Sequence, residues 1–191
     1  MTTAQALAFG TVDVAGEVAI ADLETNLAAD LSNITAGSFT AAIDTADADA
    51  DGQPEALVFT GDLGAAELTV SGDGSVSLTA AKATSYADDG TVTGKPINNT
   101  VGSTIITALD GAAAYDLSSI DNVSAEIASD TILDAATVLG GTDVTVAQNA
   151  TLTLTAAQAT AASGTLTGDD AVGTGNTGGS IAVTVTDDDS S

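Results

Sequence analysis

One short acidic segment contains the residues whose types and spacing are best suited to bind a ligand. Residues 47–55 read Asp-Ala-Asp-Ala-Asp-Gly-Gln-Pro-Glu, and the apolar run Ala-Leu-Val-Phe follows. Oxygen ligands at alternate positions can surround one Ca²⁺, and a glycine permits the tight turn that such a loop needs. The segment therefore predicts a calcium-binding loop that leads into a strand.

The spacing matches the first half of an EF-hand loop, but Val58 occupies the place of the closing bidentate glutamate. The segment instead resembles calcium loops of the dockerin and integrin-blade type, in which an acid at position nine ends the loop. That resemblance implies Ca²⁺ held by four side chains and by the backbone carbonyl of Gln53, through the residues Asp47, Asp49, Asp51, Gln53 and Glu55. The alternative is a solvated acidic turn in an aspartate-rich chain.

Other groups that could perform chemistry are scarce. Histidine and cysteine are absent, so a serine nucleophile would lack its usual base, and no thiolate is available. The glycines of residues 173–178 match the letters of a dinucleotide fingerprint, but the pattern that follows them predicts a strand instead of the required helix. We therefore expect no catalytic residues and no organic cofactor.

The charge of the chain excludes several partners. Lys82 and Lys95 are the only basic side chains against 27 acidic ones, and the formal net charge is −25. Without a basic patch, binding to nucleic acid is not expected. No apolar run approaches the roughly 20 residues of a membrane span. Salt or bound cations must relieve the self-repulsion, and the preference for Asp over Glu predicts acidic turns between strands.

An internal repeat dominates the organisation. Residues 75–84 align without a gap with residues 151–160, and Asp-Leu-Ser-Asn-Ile at 30–34 resembles Asp-Leu-Ser-Ser-Ile at 116–120. Apolar residues alternate with Thr and Ser in both copies, which predicts half-buried strands. The repeat aligns Lys82 with Gln158, and this replacement predicts a solvated surface position for Lys82.

The phrase Leu-Thr-Leu-Thr-Ala-Ala-Gln-Ala at 152–159 resembles repeats of large secreted bacterial surface and matrix proteins and of some phage structural proteins. Those repeats imply a β-solenoid. We therefore expect an all-β fold, a β-solenoid or a solenoid-like stack of short strands, with two Greek-key β-sandwich units as the alternative.

The boundaries of the parts follow from these patterns. Residues 11–20 predict an opening hairpin around Ala15 and Gly16, and the spacing within 19–31 is compatible with a helix. The segments 79–84 and 155–160 are each compatible with a single helical turn, but the flanking strands favour a corner instead. The predicted parts are an N-terminal hairpin or cap (1–29), a first β-repeat unit with the acidic loop (30–94), a connection (95–115), a second unit (116–168), and a C-terminal strand with an acidic tail (169–191).

These features together predict a non-catalytic structural protein that self-assembles, through copies of itself, into an extracellular filament, surface layer or matrix stabilised by calcium. No nucleic acid and no membrane insertion are expected. The alternative is a virion protein, such as a head decoration, tail or fibre subunit of a phage. In both cases, strand edges would pair with neighbouring copies.

Overall fold

Short β-strands are the main secondary structure of the protein, which a computed structural model describes over residues 1–46, 53–87, 97–99, 101–171, 173 and 175–184. Alternating branched apolar and hydroxyl side chains favour strands throughout these ranges. The all-β prediction is confirmed at this level. In chain order the strands are β1 Val12–Ile20, β2 Ile34–Asp44, β3 Ala56–Val58, β4 Glu67–Ser71, β5 Ser75–Thr79, β6 Ile97–Asn99, β7 Ser103–Thr107, β8 Val123–Ile127, β9 Thr131–Ile132, β10 Asp143–Val146, β11 Thr151–Thr155, β12 Leu166–Gly168 and β13 Ser180–Thr184.

Helices are few and short within these ranges: α1 Thr3–Ala8, a 3-10 turn Leu23–Asn26, α2 Ala80–Ala87 and α3 Ala156–Ala161. The preferred prediction of corners after residues 79 and 155 is wrong, because the helices α2 and α3 follow there, as the helical alternative predicted. At α3, the reason is a capping box in which Thr155 and Gln158 each bind the other's backbone N–H. The helix considered for residues 19–31 is also wrong, since β1 extends to residue 20 and only the 3-10 turn follows. No helix in the described ranges is long and apolar enough to cross a membrane.

All strand pairings in the described part of the chain are parallel. They form three sheets, with orders β1-β2-β4-β6, β12-β10-β8-β7-β5-β3 and β13-β11-β9. Paired strands are distant in sequence, so the chain crosses to another part of the protein before it returns to the same sheet. Greek-key sandwiches are antiparallel, so that alternative is wrong for these residues.

The predicted opening hairpin is also wrong. Strand β1 runs through Ala15 and Gly16, with a register irregularity between Val14 and Glu17, and pairs in parallel with β2. The irregularity lets one strand pass through a glycine without reversing direction.

The core consists of the alternating apolar residues that the sequence predicted. Leu68, Val70, Val76 and Leu78 are at most 3% exposed in the first copy. Val144, Val146, Leu152 and Leu154 are at most 1% exposed in the second. These eight side chains are drawn from two consecutive strands in each copy, with hydroxyl residues between them facing outward.

The two copies of the repeat are also equivalent in structure, and the equivalence extends beyond the repeated sequence. Strands β2, β4 and β6 are neighbours, as are β8, β10 and β12; strands β3, β5 and β7 are neighbours, as are β9, β11 and β13. The chain thus contains one six-strand arrangement twice, which we call unit 1 (β2–β7) and unit 2 (β8–β13). The registers agree in the triplets Ala41–Leu68–Ile97 and Ala125–Val144–Leu166.

Unit 2 joins unit 1 through β7 and β8, where Ile106 pairs with Ala125. At the start of the chain, β1 lies on β2 in the same way, and Ile20 pairs with Ala41. Ala41 and Ala125 occupy equivalent positions in the two units. Strand β1 therefore pairs with the first strand of unit 1 in the same way as β7 pairs with the first strand of unit 2.

Equivalent side chains from α2 and α3 fasten these helices to earlier parts of the chain. The Lys82 ammonium donates to the carbonyl oxygen of Gly61, and Gln158 Nε2 donates to the carbonyl oxygen of Thr137 at 3.1 Å; each bond spans 21 residues. Gln158 Nε2 also donates to Asp134 O at 2.7 Å. Lys82 is half-buried, so the prediction of a solvated surface position is wrong. We call the Lys82–Gly61 and Gln158–Thr137 hydrogen bonds the helix clasps.

Candidate metal centre

A closed, hydrogen-bonded stem joins the two described ends of the acidic loop to the fold. The Thr45 N–H donates to Ser71 O at 2.9 Å, and the Thr45 hydroxyl donates to the same oxygen at 2.8 Å. On the other side of the stem, the Glu55 N–H donates to Thr45 O at 2.9 Å, and Glu55 O accepts from Ser75 N–H at 2.8 Å. Thr45 is completely buried, so both ends of the loop are fixed to strands of the core.

Gly74 makes the close approach at this stem possible. Its N–H donates to the Thr45 hydroxyl at 3.0 Å. A Cβ at this position would lie 2.1 Å from Glu55 O and 2.7 Å from Thr45 O, both of them backbone atoms. Only glycine fits without moving the two strand ends that hold the loop.

The stem positions only the last part of the predicted calcium site. Glu55 is half-buried at the stem and Gln53 is exposed beside it. Asp47, Asp49 and Asp51 lie outside the described residues. Among the residues whose placement is described, no group of three or more Asp, Glu, His or Cys side chains is arranged to hold a metal ion. The calcium ligand set therefore stays a prediction.

Comparison of the two units identifies the loop as an insertion. In unit 1 the chain needs residues 43 to 57 to pass from Ile43, which pairs with Val70, to Leu57, which pairs with Val76. In unit 2 the equivalent path runs only from residue 127 to residue 131, so the unit 1 path is ten residues longer. The same strand arrangement forms without the extra residues, so the loop is not required for the fold of a unit.

Acids outside the loop shape turns instead of gathering at a site. Six described aspartates accept a hydrogen bond from the backbone N–H two residues later, which confirms the expectation of acidic turns. They are Asp30, Asp44, Asp62, Asp110, Asp116 and Asp134. The two similar pentapeptides share this turn, since Ser32 and Ser118 each donate their N–H at 3.0 Å and their hydroxyl at 2.6 Å to the preceding aspartate.

Two of these turns perturb the ionisation of their aspartates. The Tyr115 hydroxyl donates to Asp110 Oδ1 at 2.7 Å. This bond and then the Ala112 N–H lower the pKa of Asp110, and the same Tyr115–Asp110 bond, followed by burial, raises the pKa of Tyr115. At Asp30, the hydroxyl and then the N–H of Ser32 lower the pKa of the carboxyl group. Both aspartates accept bonds as anions, which is a structural role.

Sequence reasoning missed Thr45 as the residue that closes the stem. Thr45 follows the last residue of β2, and the Gly-Asp-Gly turn at 72–74 precedes β5, but nothing in the sequence links these two segments. A hydrogen bond spanning 29 residues, such as Gly74 to Thr45, leaves no local pattern.

Comparison with known proteins adds no assignment: no protein-family model matches the chain, and neither a curated protein nor a solved structure is significantly similar to it.

Proposed function

We propose that this chain is a non-catalytic structural protein that self-assembles outside the cell, and that its three sheets are faces of one β-solenoid. The observation that carries the proposal is the repetition of one parallel-paired unit. The end of unit 1 accepts unit 2 by adding the strand β8 to β7. Such stacking can in principle continue with further copies, because each added strand offers a new edge of the same kind.

Calcium is proposed to act by reducing self-repulsion and by ordering the acidic loop. The chain has a formal net charge of −25, so bringing copies together costs electrostatic free energy unless cations reduce it. The two ends of the loop are held by hydrogen bonds at Thr45 and Glu55, and unit 2 forms without such a loop. Its proposed ligands are the five residues named above, with Asp47, Asp49, Asp51 and Glu55 acting through carboxylates.

Electron microscopy of the purified full chain with Ca²⁺ and with a chelator tests the assembly. We expect filaments or sheets with Ca²⁺ and fewer of them with the chelator. Dispersed monomers at every Ca²⁺, salt and protein concentration would contradict the proposed function.

A thermal-unfolding experiment tests the loop separately. Saturation to about 100 times the dissociation constant stabilises a protein by about 2.7 kcal/mol, which corresponds to about 5–11 °C in Tm for a chain of this size. Asp47→Asn, Asp49→Asn and Asp51→Asn together should abolish that shift. A control with the same change in charge at exposed aspartates away from the stem, Asp13→Asn, Asp169→Asn and Asp170→Asn, should retain it. Equal shifts in the two triple variants would contradict the loop assignment.

A further inference from the structure

Strands β1, β7 and β13 occupy equivalent positions in the fold, but among the strands that the structure describes only β1 and β7 pair with the first strand of a following unit. In unit 2, β13 pairs with β11 as β7 pairs with β5 in unit 1, so Val183 is equivalent to Ile106. Ile106 is in turn equivalent to Ile20 of β1, because their partners in β8 and β2 are equivalent. The three residues differ in exposure: Ile20 and Ile106 are 1% exposed, whereas Val183 is 49% exposed.

The difference has a structural cause. Strand β7 is covered by β8, and β1 by β2, each time through the same parallel register. Within the described residues, β13 is the edge strand of its sheet and has β11 as its one neighbour. A strand equivalent to β2 or β8 would therefore complete this edge and bury Val183.

A second copy of the chain can supply that strand only if its own β1 is displaced. Strand β2 is the strand of the required kind at the start of the chain, and β1 occupies its outer edge. The N-terminal segment holds β1 in place, since the Met1 amino group donates to Ala19 O at 2.6 Å and the Thr3 N–H donates to Asp22 Oδ1 at 2.7 Å.

We propose that copies join by strand exchange, in which β13 of one copy takes the place of β1 on β2 of the next. This inference rests on the proposed self-assembly and specifies its contact. The new interface repeats the pairing that already joins unit 1 to unit 2, with Val183 in the place of Ile20 and Ala182 in the place of Ala19. The contact joins unlike surfaces, so each copy keeps one free edge for the next, and repetition forms a filament unless the rotation between copies closes a ring.

Pairs of cysteines test the exchange in the full chain, which contains no other thiols. Ala19→Cys with Thr40→Cys places two thiols on directly paired residues of β1 and β2. Oxidation should lock β1 and prevent assembly, and reduction should restore it. If the oxidised variant assembles as well as the wild type, strand exchange is wrong while the proposed function stands.

A second pair detects the contact itself. Thr40→Cys with Ala182→Cys should form covalently linked oligomers when assemblies are oxidised. Thr69→Cys with Ala182→Cys is the matched control, because Thr69 lies in β4, one strand beyond β2. We expect at least tenfold less linked product from the control. Equal yields from the two pairs would overturn the exchange.

A charged substitution gives an independent reading. Val183→Asp should prevent assembly while leaving the Tm of the monomer nearly unchanged, because the side chain is already half exposed. Val58→Asp is the control, since Val58 is 59% exposed on β3. Loss of assembly in the control alone, or in neither variant, would contradict the inference. Failure of the wild type to assemble under any condition would overturn both proposals.

Discussion

Gln158 provides the most quantitative test of the packing described above. Its side chain is 6% exposed, donates to two backbone carbonyls, and accepts the Thr155 N–H at 2.9 Å. Gln158→Met keeps the length of the side chain and removes these three bonds, together with the 3.2 Å bond from the Thr155 hydroxyl to Gln158 Oε1. At about 1 kcal/mol net for each donated bond and about 0.5–1 kcal/mol for the cap, we expect a loss of about 2–3 kcal/mol. This corresponds to a fall in Tm of about 4–12 °C.

Exchange of the two clasp residues gives the matched controls. Lys82→Gln should change stability by less than about 0.5 kcal/mol, because glutamine performs the same role in α3. Gln158→Lys should lose about half as much as Gln158→Met, since lysine can donate to Thr137 O but cannot accept the Thr155 N–H. Urea unfolding measures all three variants. The reasoning is refuted if Gln158→Met is as stable as the wild type, or if Gln158→Lys is as damaging as Gln158→Met.

Three further predictions concern the stem, the Asp110 turn and the charge. Gly74→Ala should lower the free energy of unfolding by about 2–4 kcal/mol in urea, whereas Gly10→Ala, whose Cβ would meet nothing within 4 Å, should be nearly neutral; equal losses would contradict the stem geometry. Tyr115→Phe should lower Tm at neutral pH. The difference in Tm between this variant and the wild type should decrease as the pH falls through the lowered pKa of Asp110, below about 3.9. A difference in Tm that does not depend on pH would contradict a stabilising bond from Tyr115 to the Asp110 carboxylate. Raising NaCl from about 0.1 M to about 1 M shortens the screening length from about 10 to about 3 Å and should raise Tm, so a constant or falling Tm would count against self-repulsion.

The fold could be predicted from the sequence wherever the signal was local. Alternating apolar residues identified β4, β5, β10 and β11 and the side chains that they bury, because a strand places successive side chains on opposite faces. The direction of pairing left no such signal: the same alternation suits both parallel and antiparallel strands, so the Greek-key alternative and the opening hairpin could not be rejected. The capping box at Thr155 and Gln158 was present in the sequence, and overlooking it led to a corner in place of α3.

At the candidate site, too, local features could be predicted from the sequence and long-range contacts could not. The composition of the acidic loop is a local feature, and it can be recognised from one segment. Its stem depends on Thr45, Ser71 and Gly74, which meet only after the chain has returned to the same sheet. The hydrogen bond from Lys82 to Gly61 was missed because the replacement of Lys82 by Gln158 in the second copy was interpreted as a sign of a solvated surface position. In the fold, both side chains present a donor to the same kind of backbone carbonyl.

Parallel pairing between β7 and β8 joins unit 1 to unit 2. The proposed stacking and the proposed strand exchange both depend on this pairing. Cross-strand nuclear Overhauser effects in the labelled full chain measure it directly. We expect contacts between amide and α protons that link Ile105 and Ile106 to Ser124 and Ala125, in the order of a parallel register. In antiparallel strands, alternate residue pairs bring their Cα atoms to about 4.5 Å, so strong contacts between α protons, or no contacts between these segments, would contradict it.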